Sequence, residues 1–184
     1  MPGQIFIICG VSGSGKSTIS DAIMDRHPNV VRAVAVTTRF PREGESYAYH
    51  YYFVDQERFQ WLVDTNQLLE YTVVYHNQSY GTLKLAVDQA LERGHDVLFV
   101  VDSVGVEQIE KFYPNARSVF LKAPSDEEQR KRLTTRGTVG EDLEDRITKA
   151  HAEQQWAESR GMNIIVNDVV EETIEATERV FNLA

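Results

Sequence analysis

The sequence predicts an α/β fold with a three-layer core, a parallel sheet held between helices, and two observations carry that reading. Short, almost continuously apolar runs alternate with helical patterns, as strands buried on both faces do when a crossover helix joins each to the next. Between residues 37 and 82 the rhythm breaks into a Tyr-rich stretch with period-two apolar patterning, which predicts an inserted mixed α/β unit.

The first run, Ile5–Cys9, leads into Gly10-Val11-Ser12-Gly13-Ser14-Gly15-Lys16-Ser17 and then Thr18, inside a helical pattern over Lys16–Arg26. This is G-x-x-x-x-G-K-[ST] in the strand, loop and helix setting that gives the motif its meaning, so the core is of the P-loop type. The glycines let backbone N–H groups turn inward around an anion, and the helix N-terminus adds partial positive charge. Lys16 can reach the β- and γ-phosphates, and the Ser17 hydroxyl can ligate Mg²⁺. The motif implies a bound nucleoside triphosphate.

Four further runs, Ala33–Val36, Val97–Val101, Ser118–Leu121 and Ile164–Val166, are expected strands of the same sheet. Helices are expected over Leu83–Arg93, Val104–Phe112, Asp126–Arg136, Asp142–Ser159 and Val170–Phe181, with Gly94 stopping one and Pro124-Ser125-Asp126 starting another. The insertion carries Pro41, Gly44, Gly81, seven of the eight tyrosines, an alternating pattern over Tyr71–Tyr75 and one short helix near Gln56–Val63.

Composition narrows the partners. A chain of 184 residues forms one domain with a sizeable core. Its net charge of −9 argues against nucleic acid, whose phosphate backbone needs a basic face, so basic residues should cluster locally around single phosphates. Cys9 is the only cysteine, which rules out an internal disulfide and suits an inert thiol inside the first strand. No leader-like segment precedes the loop and no apolar run approaches membrane length, so the expectation is a cytoplasmic protein with no membrane partner.

A second phosphate grip lies in the insertion, at Thr37-Thr38-Arg39-Phe40-Pro41-Arg42-Glu43-Gly44-Glu45. Two arginines three apart on a turn, with tyrosine hydroxyls nearby, can hold a monophosphate through charge-assisted hydrogen bonds.

In order and spacing these residues resemble the guanylate kinase family, from Ile5 to about residue 180. The family string T-T-R-x-P-R-x-G-E is intact. Later pieces also match: the strand ending in Asp102, Pro124-Ser125, Arg132-Leu133, Arg136-Gly137, Arg146-Ile147 and Val166-Asn167-Asp168. The resemblance implies a P-loop kinase core over 1–36, 83–124 and 148–184, a monophosphate-binding insertion over 37–82 and a helical lid over 125–147. It implies ATP with Mg²⁺ on Gly10–Thr18 and Asn167, and a GMP or dGMP phosphate on Arg39, Arg42, Tyr51 and Tyr80. Guanine contacts fall on Glu70, Thr82 and Asp102, and catalytic cations on Lys16, Arg132, Arg136 and Arg146. The implied assembly is a monomer or a homodimer. Guanine presents N1–H and a 2-amino group on one edge, and the Glu70 carboxylate can accept both; adenine lacks that pair of donors.

Three positions depart from the family pattern: Ala35 where a serine usually meets the guanine 6-oxygen, Val100 where an acidic residue is usual, and Val104 in place of the glutamine of D-x-Q-G. All three lie where the base or sugar should bind. Alternatives therefore stay open: a kinase for another purine (deoxy)nucleoside monophosphate with relaxed 6-position recognition, a kinase for a sugar phosphate, and a non-catalytic guanylate-kinase-like binding module.

Overall fold

The computed structural model describes residues 3–74 and 78–183; Tyr75, which closes the alternating pattern of the insertion, lies outside them. Strand β1 (Ile5–Gly10) is buried at every position. It bonds on one side to β7 (Asp96–Val100), with β2 (Val30–Arg32) beyond, and on the other to β8 (Arg117–Lys122), with β9 (Asn163–Val166) beyond, all in parallel register. A central strand covered on both faces has no use for a polar side chain, which explains its unbroken apolar run.

Alternate β1 residues serve two cores. Ile5, Ile7 and Cys9 pack with Val87 of α3 (Lys84–Glu92), Val106 and Ile109 of α4 (Ser103–Phe112), and Ala150 and Ala157 of α6 (Glu141–Ser159). Phe6 and Ile8 face the opposite way, onto Ile19 and Ile23 of α1 (Lys16–Arg26) and Ile174 and Phe181 of α7 (Val170–Phe181). Phe6 stacks on Phe181 with ring centroids 4.6 Å apart. Each such side chain stabilises the fold by ~1.5–3 kcal/mol relative to an exposed one, so both helical layers are fixed to the sheet. Burial also pushes the Cys9 thiol up to about 12 and its Sγ donates to the Val119 carbonyl, so it is inert.

The expected core strand over Ala33–Val36 is instead divided between two sheets. Strand β2 ends at Arg32, the Ala33 N–H makes a last bond to the Leu98 carbonyl at 2.9 Å, and β3 (Ala35–Thr37) opens the second sheet. That sheet runs β4 (Tyr51–Phe53), β3, β6 (Gln78–Leu83), β5 (Leu68–Val74), with β3 parallel to β4 and antiparallel to β6. It has its own small core, Val36 against Phe59 and Leu62 of α2 (Gln56–Asp64), a helix started by the Asp55 carboxylate accepting from the Arg58 N–H at 2.7 Å. The remaining helix, α5 (Asp126–Thr135), is capped by Ser125 and carries three acidic residues in its first turn, as the Pro-Ser-Asp start predicts. Helices α1 and α7 run over the spans the sequence predicts. Among the described residues no helix is long and apolar enough to cross a membrane.

Candidate active site

The phosphate loop leaves β1 at Gly10 and enters α1 at Lys16. Gly15 caps the helix in the left-handed region at φ 89°, ψ 17°, where a side chain is strained and where a Cβ would also collide with the Asn167 amide. The loop is braced from behind: the buried Asn167 donates to the Ser14 carbonyl at 2.7 Å and accepts from the Thr173 hydroxyl of α7 at 3.1 Å. Gln129 of α5 donates to the Ser12 carbonyl at 2.8 Å, and Arg146 of α6 to the Ser12 hydroxyl at 3.2 Å. Lys16 folds back across the loop, its Nζ donating to the Gly10 and Val11 carbonyls at 2.6 and 3.0 Å. Burial lowers its pKa from the ordinary lysine value, and Glu153 and Asp102 partly offset that. Ser17 and Thr18 are exposed on the first turn of α1.

Loop and insertion share one cavity of about 260 Å³. It is lined by Gly10, Ser12, Lys16 and Ser17 of the loop, by Arg146, and by Tyr51, Glu70, Tyr80 and Asp102. The register of the second sheet explains how distant segments meet there. Tyr51 pairs with Ala35, Ala35 with Thr82, and Thr82 with Glu70, one residue from each strand in a single row. The neighbouring row holds Phe53, Thr37, Tyr80 and Thr72.

Glu70 is only 3% exposed, and its Oε1 accepts from the Thr82 hydroxyl at 2.7 Å. Burial pushes its carboxyl up to about 7; the Thr82 hydrogen bond pulls down and the Asp102 charge adds to the rise. Asp102 is the N-cap of α4, its Oδ1 accepting from the Gly105 N–H at 3.0 Å while Oδ2 faces the Thr72 hydroxyl at 3.4 Å. Its placement is thus set by helix capping as well as by the cavity.

Arg39 is buried beside the cavity. Its guanidinium donates to the Tyr80 hydroxyl at 3.0 Å and to Glu45 at 2.9 Å, and lies 5.3 Å from the Tyr51 ring centre. Burial works against its charge, but Tyr80 and Glu45 outweigh that and hold its pKa above the ordinary value. Arg42, by contrast, is exposed, and its N–H donates to Glu45 at 2.8 Å. Of the expected lid arginines, Arg146 lines the cavity. Arg132 is half-buried, donating to Glu128 at 3.0 Å and the Asn167 carbonyl at 3.1 Å, and Arg136 is exposed at the end of α5. Sequence reasoning missed Thr72, Lys149 and Glu153 in the cavity wall. Thr72 follows Glu70 by two on a strand, and Lys149 and Glu153 follow Arg146 by three and seven on a helix, so periodicity held the signal.

A family model described as guanylate kinase matches residues 3–184. The guanylate kinase of Bacteroides thetaiotaomicron is 40% identical over 99% of this chain and 92% of its own, and that of Helicobacter pylori is 40% identical over 94% and 83%. The chain belongs to the guanylate kinase family. The crystal structure of guanylate kinase from Anaplasma phagocytophilum superposes with a TM-score of 0.79 at 27% identity, covering 99% of this chain and 86% of that one. Against this guanylate kinase background, Ala35 and Val100 both line the cavity, whereas Val104 is exposed on α4.

Proposed function

We propose that this chain transfers the γ-phosphoryl group of ATP to GMP or dGMP, giving ADP and GDP or dGDP. The observation that carries the reading is one cavity lined both by an intact phosphate loop and by a buried carboxylate, Glu70. In this reading the backbone of Gly10–Thr18 cradles the triphosphate, and Lys16 exchanges its two loop carbonyls for β- and γ-phosphate oxygens. Asn167 acts from behind by holding the loop. Ser17, exposed on the cavity wall with a hard oxygen donor, fits a magnesium ion shared with the phosphates. That ion, when bound, neutralises charge building on the β- and γ-phosphate oxygens.

The insertion, residues 37–82, takes the acceptor. Arg39, Arg42, Tyr51 and Tyr80 hold its phosphate, and closure of the segment 125–147 brings Arg132, Arg136 and Arg146 to the transferring group. Alignment and charge neutralisation are what phosphoryl transfer asks for, and the acceptor is already a phosphate oxyanion, so no general base is required. Closing the cavity excludes water and suppresses ATP hydrolysis. Glu70 accepts from guanine N1–H and the 2-amino group, with Thr82 and Asp102 alongside. AMP would leave that buried carboxylate poorly satisfied.

A second reading, relaxed recognition at the purine 6-position, is favoured by one observation: the middle of the base-facing row is Ala35, which offers no hydroxyl. Coupled measurement of ADP formation over GMP, dGMP, AMP, 2-aminoadenosine monophosphate and a sugar phosphate tests both. The expected result is preference for 2-amino purine monophosphates, with Lys16→Ala losing at least about a hundredfold in kcat. AMP or the sugar phosphate as the best acceptor, or near-normal turnover by Lys16→Ala, would refute the assignment.

A further inference from the structure

Strand β5 is an edge strand, and the outward backbone of Tyr71 needs partners that the sheet does not supply. Gln108 of α4 supplies both. Its Oε1 accepts from the Tyr71 N–H at 3.0 Å and its Nε2 donates to the Tyr71 carbonyl at 2.8 Å. A donor and an acceptor on one amide, matched to an acceptor and a donor on one residue, fix the side chain's orientation without ambiguity. The residue so held is the one after Glu70.

Two further residues, Gly105 of α4 and its N-cap Asp102, meet the same strand. Gly105, three before Gln108, lets the helix approach closely: a Cβ there would lie 3.3 Å from Glu70 Oε2 and 2.8 Å from the Val101 Cβ. Asp102, three earlier again, faces Thr72. The helix belongs to the core layer, and Val106 and Ile109 seat it against β1. The insertion is therefore tied to the core along β5 as well as through its two chain connections, and the tie falls at the base-reading carboxylate.

We propose that Gln108 is a positioning residue for base selection: its two-point amide clamp on Tyr71 holds Glu70 at a fixed height over the cavity. This rests on the assignment of Glu70 as the guanine reader. A carboxylate accepting two donors in a fork tolerates little displacement, so freeing the strand weakens guanine binding before it affects anything at the phosphate loop. Steady-state kinetics and calorimetric GMP titration on Gln108→Leu test it. The expected result is a GMP KM and Kd raised about tenfold, the effect of two neutral hydrogen bonds, with the ATP KM within about twofold of wild type. The preference for GMP over AMP should narrow by a similar factor. Gln108→Glu keeps the side chain's length and the acceptor for the Tyr71 N–H, and carries the same test with a loss of about threefold should the leucine variant fail to fold. Glu107→Ala, on the same helix as Gln108, is the control: it removes the acceptor of the 2.8 Å hydrogen bond from Trp156 of α6 and should leave GMP affinity unchanged. An unchanged GMP KM in Gln108→Leu, an equal loss for ATP, or an equal loss in Glu107→Ala would overturn the proposal. If wild type fails to bind GMP, the functional reading falls; if wild type binds GMP and the clamp variant binds it as well, only this inference falls.

Discussion

Replacing Glu70 with glutamine separates the titration of this carboxyl from every other pH effect in the molecule. On the proposed assignment of Glu70 as the guanine reader, guanine's two donors bind only the ionised form, and burial holds that carboxyl at about 7. With that value, about a tenth of the free enzyme is competent at pH 6 and about nine-tenths at pH 8, so GMP affinity should rise roughly tenfold between them. The acceptor phosphate also titrates, near about pH 6, but it does so equally in wild type and in Glu70→Gln. Binding at pH 7 should release about half a proton from Glu70, read as a dependence of the calorimetric heat on buffer ionisation enthalpy. Glu70→Gln, which turns one acceptor into a donor facing guanine's own donors, should lose about 2–4 kcal/mol of GMP binding.

The same carboxyl affects stability with a definite sign. Its folded pKa is raised from 4.5 to about 7, so the folded state holds the proton more tightly. The resulting stabilisation is complete below about pH 4.5 and is lost as pH rises to about 7, a swing of up to about 3 kcal/mol. Thermal scans of ligand-free protein should therefore show wild type falling more steeply than Glu70→Gln over that window. Identical pH slopes in the two proteins, for GMP affinity and for stability, would refute the argument.

Arg39→Ala removes the buried partner of Glu45 and Tyr80, and should cost about 2 kcal/mol of stability in a thermal scan as well as GMP affinity. Arg42→Ala, at an exposed position, should weaken GMP by about tenfold with melting unchanged, and loss of ATP affinity in either variant would rule out a dedicated acceptor clamp. Ala35→Ser places a hydroxyl beside Thr82 in the Tyr51–Ala35–Thr82–Glu70 row and, on the proposed reading, should raise kcat/KM for GMP over 2-aminoadenosine monophosphate about fivefold, near 1 kcal/mol. Unchanged ratios would remove residue 35 from base reading.

The phosphate loop was legible because its chemistry is local: glycine, lysine and hydroxyl sit within eight residues, between a strand and a helix that their own periodicities define. Glu70, Thr82 and Asp102 came only through resemblance, since nothing short-range says that residues this far apart share a wall. The division of Ala33–Val36 between two sheets was not legible either. Each strand there is three residues long, and an apolar run looks the same whichever sheet receives it. Gln108 was invisible for a related reason. A glutamine on a helix surface is unremarkable until the edge strand opposite it is known.

The row Tyr51, Ala35, Thr82, Glu70 has a consequence for how selectivity can change over time. Each strand contributes one side chain to it, and none of the four belongs to the glycine-rich loop between β1 and α1. If the row reads the acceptor base as proposed, its preference can drift by single substitutions at these sites, like a lock whose pins are cut one at a time, while the glycine-rich loop stays as it is. The converse is fragility of another kind. A slip of one residue in any strand would turn that strand's contribution away from the cavity altogether, so insertions and deletions should be far less tolerated here than point changes.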